Sequence, residues 1–182
     1  MAGNTTLRVI PLGGLGEIGR NMMVLEYGDD IIVVDVGLMF PEEEMLGVDL
    51  VIPDFSYLRE NREKLRAVFL THGHEDHVGA LPYFMREFNV PIYGARLTDG
   101  LIRVKLQEHR LLQGAETHVV VPGEVITAGV FEVEFFPVAH SIPDACGLII
   151  RTPLGPVVHT GDFKLDHTPV MDQHTDLIRL AQ

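Results

Sequence analysis

The chain has 182 residues, 46% of them hydrophobic, which suits one domain or slightly more with a full core. Its 14 basic and 26 acidic side chains leave a net charge of -12, which argues against passive nucleic-acid binding through a basic surface. It leaves room for an enzyme whose divalent ions meet a phosphate, since such ions would be the largest local charges.

Residues 7–12, 22–27 and 31–36 read as three short strands, and Gly28-Asp29-Asp30 is a turn tight enough to make the last two antiparallel neighbours. Residues 37–53 form a long loop with an acidic stretch, Glu42-Glu43-Glu44, read as a solvated face on a functional rim. Residues 56–64 suit a short polar helix, 67–71 a buried strand, 72–77 a loop and 78–88 a helix with Ala80, Leu81, Phe84 and Phe88 on one face. A small strand at 91–94 and a helix at 97–110 follow. Beyond Thr117, strands are expected at 119–121, 125–126, 131–138, 147–151 and 157–160, punctuated by Pro and Gly, and residues 172–182 begin a last helix. Strands, then helix-bearing units, then strands again predict an α+β arrangement of two packed sheets with helices outside.

A single cysteine, Cys146, forbids an intrachain disulfide, reads as a small core residue and fits a reducing, cytoplasmic setting. Residues 1–8 hold no apolar core of a secretory signal, and no apolar run approaches the roughly 20 residues that span a bilayer.

Gly14-Leu15-Gly16-Glu17-Ile18-Gly19 matches the dinucleotide-binding pattern G-x-G-x-x-G, with Asp35 at the distance of a ribose-binding acid. That reading needs a helix directly after the glycines. Only residues 20–27 precede the next turn, and Met22-Met23-Val24-Leu25 looks like strand, so the segment is read instead as a tight loop near an active site.

Thr71-His72-Gly73-His74-Glu75-Asp76-His77 places four metal-ligand candidates within six residues, just past a buried strand. His72 and His74 would lie on opposite sides of a helix, but in an extended loop alternate residues share a face. Asp76 and His77 are then free to turn toward a second point. Imidazoles and carboxylates without thiolates suit Zn²⁺, Mn²⁺ or Fe²⁺. His140 ends the apolar run Phe135-Phe136-Pro137-Val138-Ala139, and Asp162 follows Val157-Val158-His159-Thr160-Gly161. Each alone is an ordinary turn residue. Together with the first motif they are what a metal cleft requires, because distant segments must meet there. His109, His118, His159, His167 and His174 are read as ordinary histidines.

The order H-x-H-x-D-H, His, Asp resembles the metallo-β-lactamase superfamily, and the surrounding text resembles its ribonuclease J family. The likeness lies in Pro11 through Met22, in Met39-Phe40-Pro41, in Asp49-Leu50-Val51-Ile52-Pro53-Asp54, in His140-Ser141-Ile142-Pro143-Asp144 and in Thr160-Gly161-Asp162-Phe163-Lys164. The resemblance implies an αββα sandwich, incomplete here because the family's β-CASP insertion and C-terminal part are missing. Residues 1–182 would then be the N-terminal part of the metallo-β-lactamase domain, with no second domain. It further implies that His72, His74 and His140 hold one ion, Asp76 and His77 a second, and that Asp162 bridges them. Zn²⁺ is the first choice and Mn²⁺ the second. Asp35 would steer a ligand histidine. A further histidine of the second ion has no counterpart here, and the fragment is expected to turn over weakly or not at all.

The implied activity is hydrolysis of RNA phosphodiester bonds by a metal-bridged hydroxide, with Asp76 orienting the nucleophile and both 5′-to-3′ exonuclease and endonuclease modes. The implied substrate is RNA with a 5′-monophosphate. The implied assembly is a homo-oligomer of the full-length enzyme, away from membranes. Two other readings stay open: a thioester, lactone or β-lactam hydrolase on the same ligands, and a catalytically incomplete piece acting only in assembly.

Overall fold

The computed structural model describes residues 6–182; the first five residues of the segment tested for a secretory signal lie outside the described residues. Among the described residues, ten strands form two sheets. The first contains β1 (Leu7–Gly13), β2 (Met22–Tyr27), β3 (Asp30–Val34), β4 (Leu65–Leu70), β5 (Ile92–Gly94) and β6 (Thr117–Val119), side by side in chain order. β1, β2 and β3 pair antiparallel, the last two across the tight turn at Gly28-Asp29, whereas β3 through β6 pair in parallel. The second sheet, in the order β10-β9-β8-β7, is antiparallel and built from β7 (Val125–Ala128), β8 (Phe131–Pro137), β9 (Cys146–Thr152) and β10 (Gly155–His159).

Leu25, Ile32, Val34 and Phe69 of the first sheet meet Phe131, Val133, Phe135, Leu148 and Ile150 of the second in a buried interlayer core. The alternate residues Val24, Ile31, Val33, Val68 and Leu70 face the other way, against the helices. Burial on both faces is why these strands read as unbroken apolar runs. Among the helices, α1 spans Ser56–Glu60, α2 Glu75–Val78, α3 Leu81–Glu87 and α4 Arg96–Glu108. In α3, Leu81, Phe84 and Met85 recur at helical spacing and are buried, with Phe55 packed edge-on to Phe84. In α4, Ile102 and Leu106 form the buried stripe, and the Asp144 carboxylate accepts the Leu97 N–H at 3.1 Å, satisfying one free donor of its first turn.

Three elements depart from expectation. Residues 75–78 form the one-turn helix α2 rather than loop, because extended His74 (ψ 151) precedes it and lets the chain coil at Glu75. The expected single helix at 78–88 is split at Gly79 and Ala80. The strand expected at 119–121 is β6, two residues earlier: the ladder pairs His118 with Tyr93, and Val121 is exposed.

A short C-terminal helix, α5 (Leu177–Leu180), covers the outer face of the second sheet. Glu134 of β8 sits there, buried, taking Arg179 through both carboxylate oxygens (2.6 and 2.7 Å) and Arg151 at 2.7 Å. The Arg179 bonds, reinforced by Arg151, outweigh burial and hold the Glu134 carboxyl at about 2. A depressed carboxylate stabilises the fold above its ordinary range near 4.5 and loses that contribution as pH falls toward about 2. Glu134→Gln should therefore lower unfolding stability by about 1–3 kcal/mol at neutral pH, the loss of charge-assisted hydrogen bonds. In urea titrations the gap to the parent chain should close between pH 4.5 and 2.

Candidate metal centre

Four segments end at the same rim of the sandwich. β3 runs into Asp35, β4 into Thr71 and His72, β8 through Ala139 into His140, and β10 into the turn before Asp162. The layers are joined at this rim by a hydrogen bond from the Cys146 N–H to the Thr71 carbonyl (2.9 Å). Strand ends make the rim because side chains leaving two sheets there converge without breaking the ladders.

The first ligand set is His72, His74 and His140. His74 Nδ1 lies 3.0 Å from His72 Nε2 and 3.2 Å from His140 Nε2. His72 is fully buried, and burial, with His77 adding to it, pushes its pKa down to about 3, so its imidazole is neutral. Burial also lowers His140. Three imidazoles aim nitrogens at one point at distances where they cannot all donate to one another, a donor set suited to a shared cation.

His72, His77 and Asp162 form a second group, their ligand atoms within 4.8 Å of one another. Asp162 faces both ways: its Oδ1 lies 3.4 Å from His77 Nε2 and its Oδ2 3.7 Å from His140 Nε2. Asp76 stands at the margin of this set, with Oδ2 3.7 Å from His77 Nε2. The structure thus gathers all six predicted ligand candidates, His72, His74, Asp76, His77, His140 and Asp162, around one cleft, with Asp76 at its margin.

Asp35 fixes the orientation of His77. Its carboxylate, fully buried, accepts the Thr71 N–H, the Thr71 hydroxyl and the His77 Nδ1–H, each at 2.8 Å. With Nδ1 so engaged, His77 turns Nε2 toward Asp162 and Asp76. Burial alone would lower His77, but the Asp35 and Asp162 charges overcome it and push its pKa up to about 10. Burial works to raise Asp35, yet the His77 partnership prevails and holds it below the usual carboxylate range. The His77 hydrogen bond, against the opposing effect of burial, brings Asp162 down to about 2. Asp35 also has φ 60, in the left-handed region that aspartate and asparagine tolerate better than most residues.

The glycine loop is followed by β2, not by a helix, as expected for a segment that does not bind a dinucleotide. Its Gly14 N–H donates to Glu17 Oε1 (3.0 Å) instead of facing a ligand, while Gly13 and Gly14 line a cavity of about 290 Å³ beside Asp35, His77 and Asp162. Sequence reasoning missed Asn21, directly after this loop. Its side-chain nitrogen lies 3.3 Å from Asp76 Oδ2 and 3.2 Å from His77 Nε2. The rest of the histidines stay outside both sets. His118 is stacked on Tyr93, and His159 accepts the Gly161 N–H through Nδ1 (3.1 Å), stiffening the turn that presents Asp162. The Glu42–Glu44 stretch is exposed, as expected of a solvated face.

The sequence profile of the metallo-beta-lactamase superfamily matches residues 15–177. The chain is 49% identical to ribonuclease J of Synechocystis, over 100% of this chain and 29% of the relative. It is 52% identical to ribonuclease J of Thermus thermophilus, over 97% and 32%, and 46% identical to ribonuclease J2 of Bacillus subtilis, also over 97% and 32%. It therefore spans about a third of the length of these relatives. Among solved structures, a protein of unknown function from Enterococcus faecalis superposes with a TM-score of 0.68 at 25% identity, covering 87% of this chain and 44% of that one. The metallo-beta-lactamase fold protein YhfI from Bacillus subtilis superposes at 0.60 and 21% identity, covering 88% and 64%.

Proposed function

This chain belongs to the metallo-beta-lactamase superfamily, and from that premise we propose that it carries the metal-binding chemistry of a ribonuclease that hydrolyses RNA phosphodiester bonds. The observation that carries this reading is Asp162 standing between the two ligand sets, one oxygen toward His77 and the other toward His140, in a chain about half identical to proteins named ribonuclease J.

His72, His74 and His140 would hold one cation, and His77 and Asp76 a second, with Asp162 between them. Zn²⁺ is the first choice and Mn²⁺ the second, since nitrogen and oxygen donors serve both. When bound, such ions supply Lewis acidity, lowering the pKa of water toward about 7 and neutralising charge on phosphoryl oxygens. The chain's own residues do the rest. Asp35 accepts the His77 Nδ1–H and so aims Nε2 into the cleft, the nitrogen a bound cation would take in place of its proton. Asp76, about one third exposed, reaches the solvent side of the cleft, where its carboxylate can orient a water and accept its proton. In-line attack of that water on phosphorus breaks the bond to the ribose 3′-oxygen and leaves a 5′-phosphate. We read the substrate as 5′-monophosphorylated RNA, cut in both exonucleolytic and endonucleolytic modes by a homo-oligomeric enzyme. A cytoplasmic setting suits the single free Cys146, and no described helix is long and apolar enough to cross a membrane.

The test sets substrates side by side. A protein comprising this chain, loaded with Mn²⁺ or Zn²⁺, is given 5′-monophosphorylated RNA, a thioester and a β-lactam. RNA cleavage leaving 5′-phosphate ends is expected. Turnover of the thioester or β-lactam with intact RNA would overturn the ribonuclease reading and favour the other hydrolases of this fold.

A further inference from the structure

We propose that the Asn21 carboxamide is a positioning residue for the second ligand set, holding the Asp76 carboxylate beside His77 Nε2 so that both face the same cation. The inference rests on the reading of that set as a cation site and goes beyond it by assigning a residue that binds neither ion nor substrate.

The main chain alone fixes where Asn21 stands. Its N–H donates to the Asp76 carbonyl (3.0 Å), its carbonyl accepts the Gly37 N–H (2.9 Å), and the neighbouring Arg20 N–H reaches the Leu38 carbonyl (2.9 Å). The side chain therefore has a task beyond holding the loop. Its Nδ2 lies 3.1 Å from the Asp76 carbonyl oxygen, 3.3 Å from Asp76 Oδ2 and 3.2 Å from His77 Nε2. Because His77 Nδ1 is engaged by Asp35, Nε2 is the nitrogen that faces the cleft beside this amide. An amide nitrogen has two hydrogens. One meets the Asp76 carbonyl, and the other reaches the Asp76 carboxylate, whose Oδ2 lies 3.7 Å from His77 Nε2.

Two further features support the assignment. Asp76 is the least enclosed member of its set after Asp162, its side chain 35% exposed. Besides the amide, the described side chain facing its carboxylate is His77, whose Nε2 at 3.7 Å is beyond hydrogen-bond reach. The glycine loop is also shaped around Asn21: Gly14 has φ +85, and a Cβ there would collide with Asn21 Oδ1. The absence of a side chain at position 14 lets the carboxamide lie flat with its nitrogen toward the ligands. The segment that imitates a dinucleotide motif thus acquires a local use. Preorganising ligands in this way removes an ordering cost that a cation would otherwise meet on binding, and lost outer partners of metal ligands typically weaken affinity about 10–100-fold.

Asn21→Leu keeps the branched shape and removes the donor. Calorimetric titration of the chain with Mn²⁺ should show two binding steps in the parent. In the variant the weaker step should fall about 10–100-fold, with the His72, His74 and His140 step and the cation-free melting temperature unchanged. A second step of parental affinity would overturn the proposal. Should the variant fail to fold, the parent decides: its Asn21 side-chain amide resonances, followed by ¹⁵N NMR during Zn²⁺ addition, should move with the second equivalent and not the first. Resonances that move with neither would overturn it. If the parent binds no cation at all, the ligand-set reading fails and this inference falls with it.

Discussion

Replacing His74 with Ala is expected to remove about one equivalent of bound cation per chain. It should also lower RNA cleavage by the enzyme carrying this chain on the order of 10³-fold, the consequence of losing several kcal/mol of charge stabilisation. His74 is chosen because its Nδ1 stands between its partners, 3.0 Å from His72 Nε2 and 3.2 Å from His140 Nε2. Without it the remaining two nitrogens cannot enclose an ion. The side chain is only half-buried, on a loop, and its loss leaves the interlayer core intact. Elemental analysis and turnover of the same preparation check both halves of the expectation. Parental turnover with parental metal content would remove His74 from the ligand set. His118→Ala is the control, since that ring stacks on Tyr93 away from the cleft and its loss should change neither quantity.

The second large effect belongs to Asp35→Asn. Asparagine tolerates the left-handed backbone that Asp35 adopts, so the substitution separates charge from conformation. It turns one acceptor into a donor where Thr71 N–H, Thr71 Oγ1–H and His77 Nδ1–H all converge at 2.8 Å. At least one of these must lose its partner in a site closed to water, at a cost of about 1–3 kcal/mol of stability. If His77 answers by moving its proton to Nε2, the lone pair that a cation needs is gone. Affinity at the second ligand set should then drop about 10–100-fold, while the His72, His74 and His140 set keeps its ion. Denaturant titration and stepwise metal titration read these separately. Unchanged affinity at both steps would show that Asp35 only braces the strand ends.

Much of this was legible in the residue order, for identifiable reasons. β2, β3 and β4 announce themselves because both faces are buried and the runs are almost wholly apolar. His72 through His77 stand out because four ligand types crowd behind such a run. His140 and Asp162 acquire meaning only once several strands are seen to end together. What stayed hidden depends on contacts remote in sequence. Asn21 is an ordinary polar residue until the glycine loop brings it against Asp76, 55 residues away. Asp144 became the cap of α4 across 47 residues. Glu134 reads as an outward-facing strand residue, and nothing nearby reveals that Arg179, 45 residues on, closes over it. α2 is too short to display any periodicity, so its one turn looked like loop.

The backbone link between Cys146 and Thr71 ties the sheets at the very rim where the imidazoles converge. A second tie stands at the opposite end, where the Val130 N–H donates to the Asp30 carboxylate at 2.9 Å, so the two layers are pinned at both margins. Pinned leaves cannot fan apart, and nitrogen spacing at the rim is kept while outer loops drift. An ion seated there would act as one more stitch, so that loading and cohesion of the two leaves would rise together.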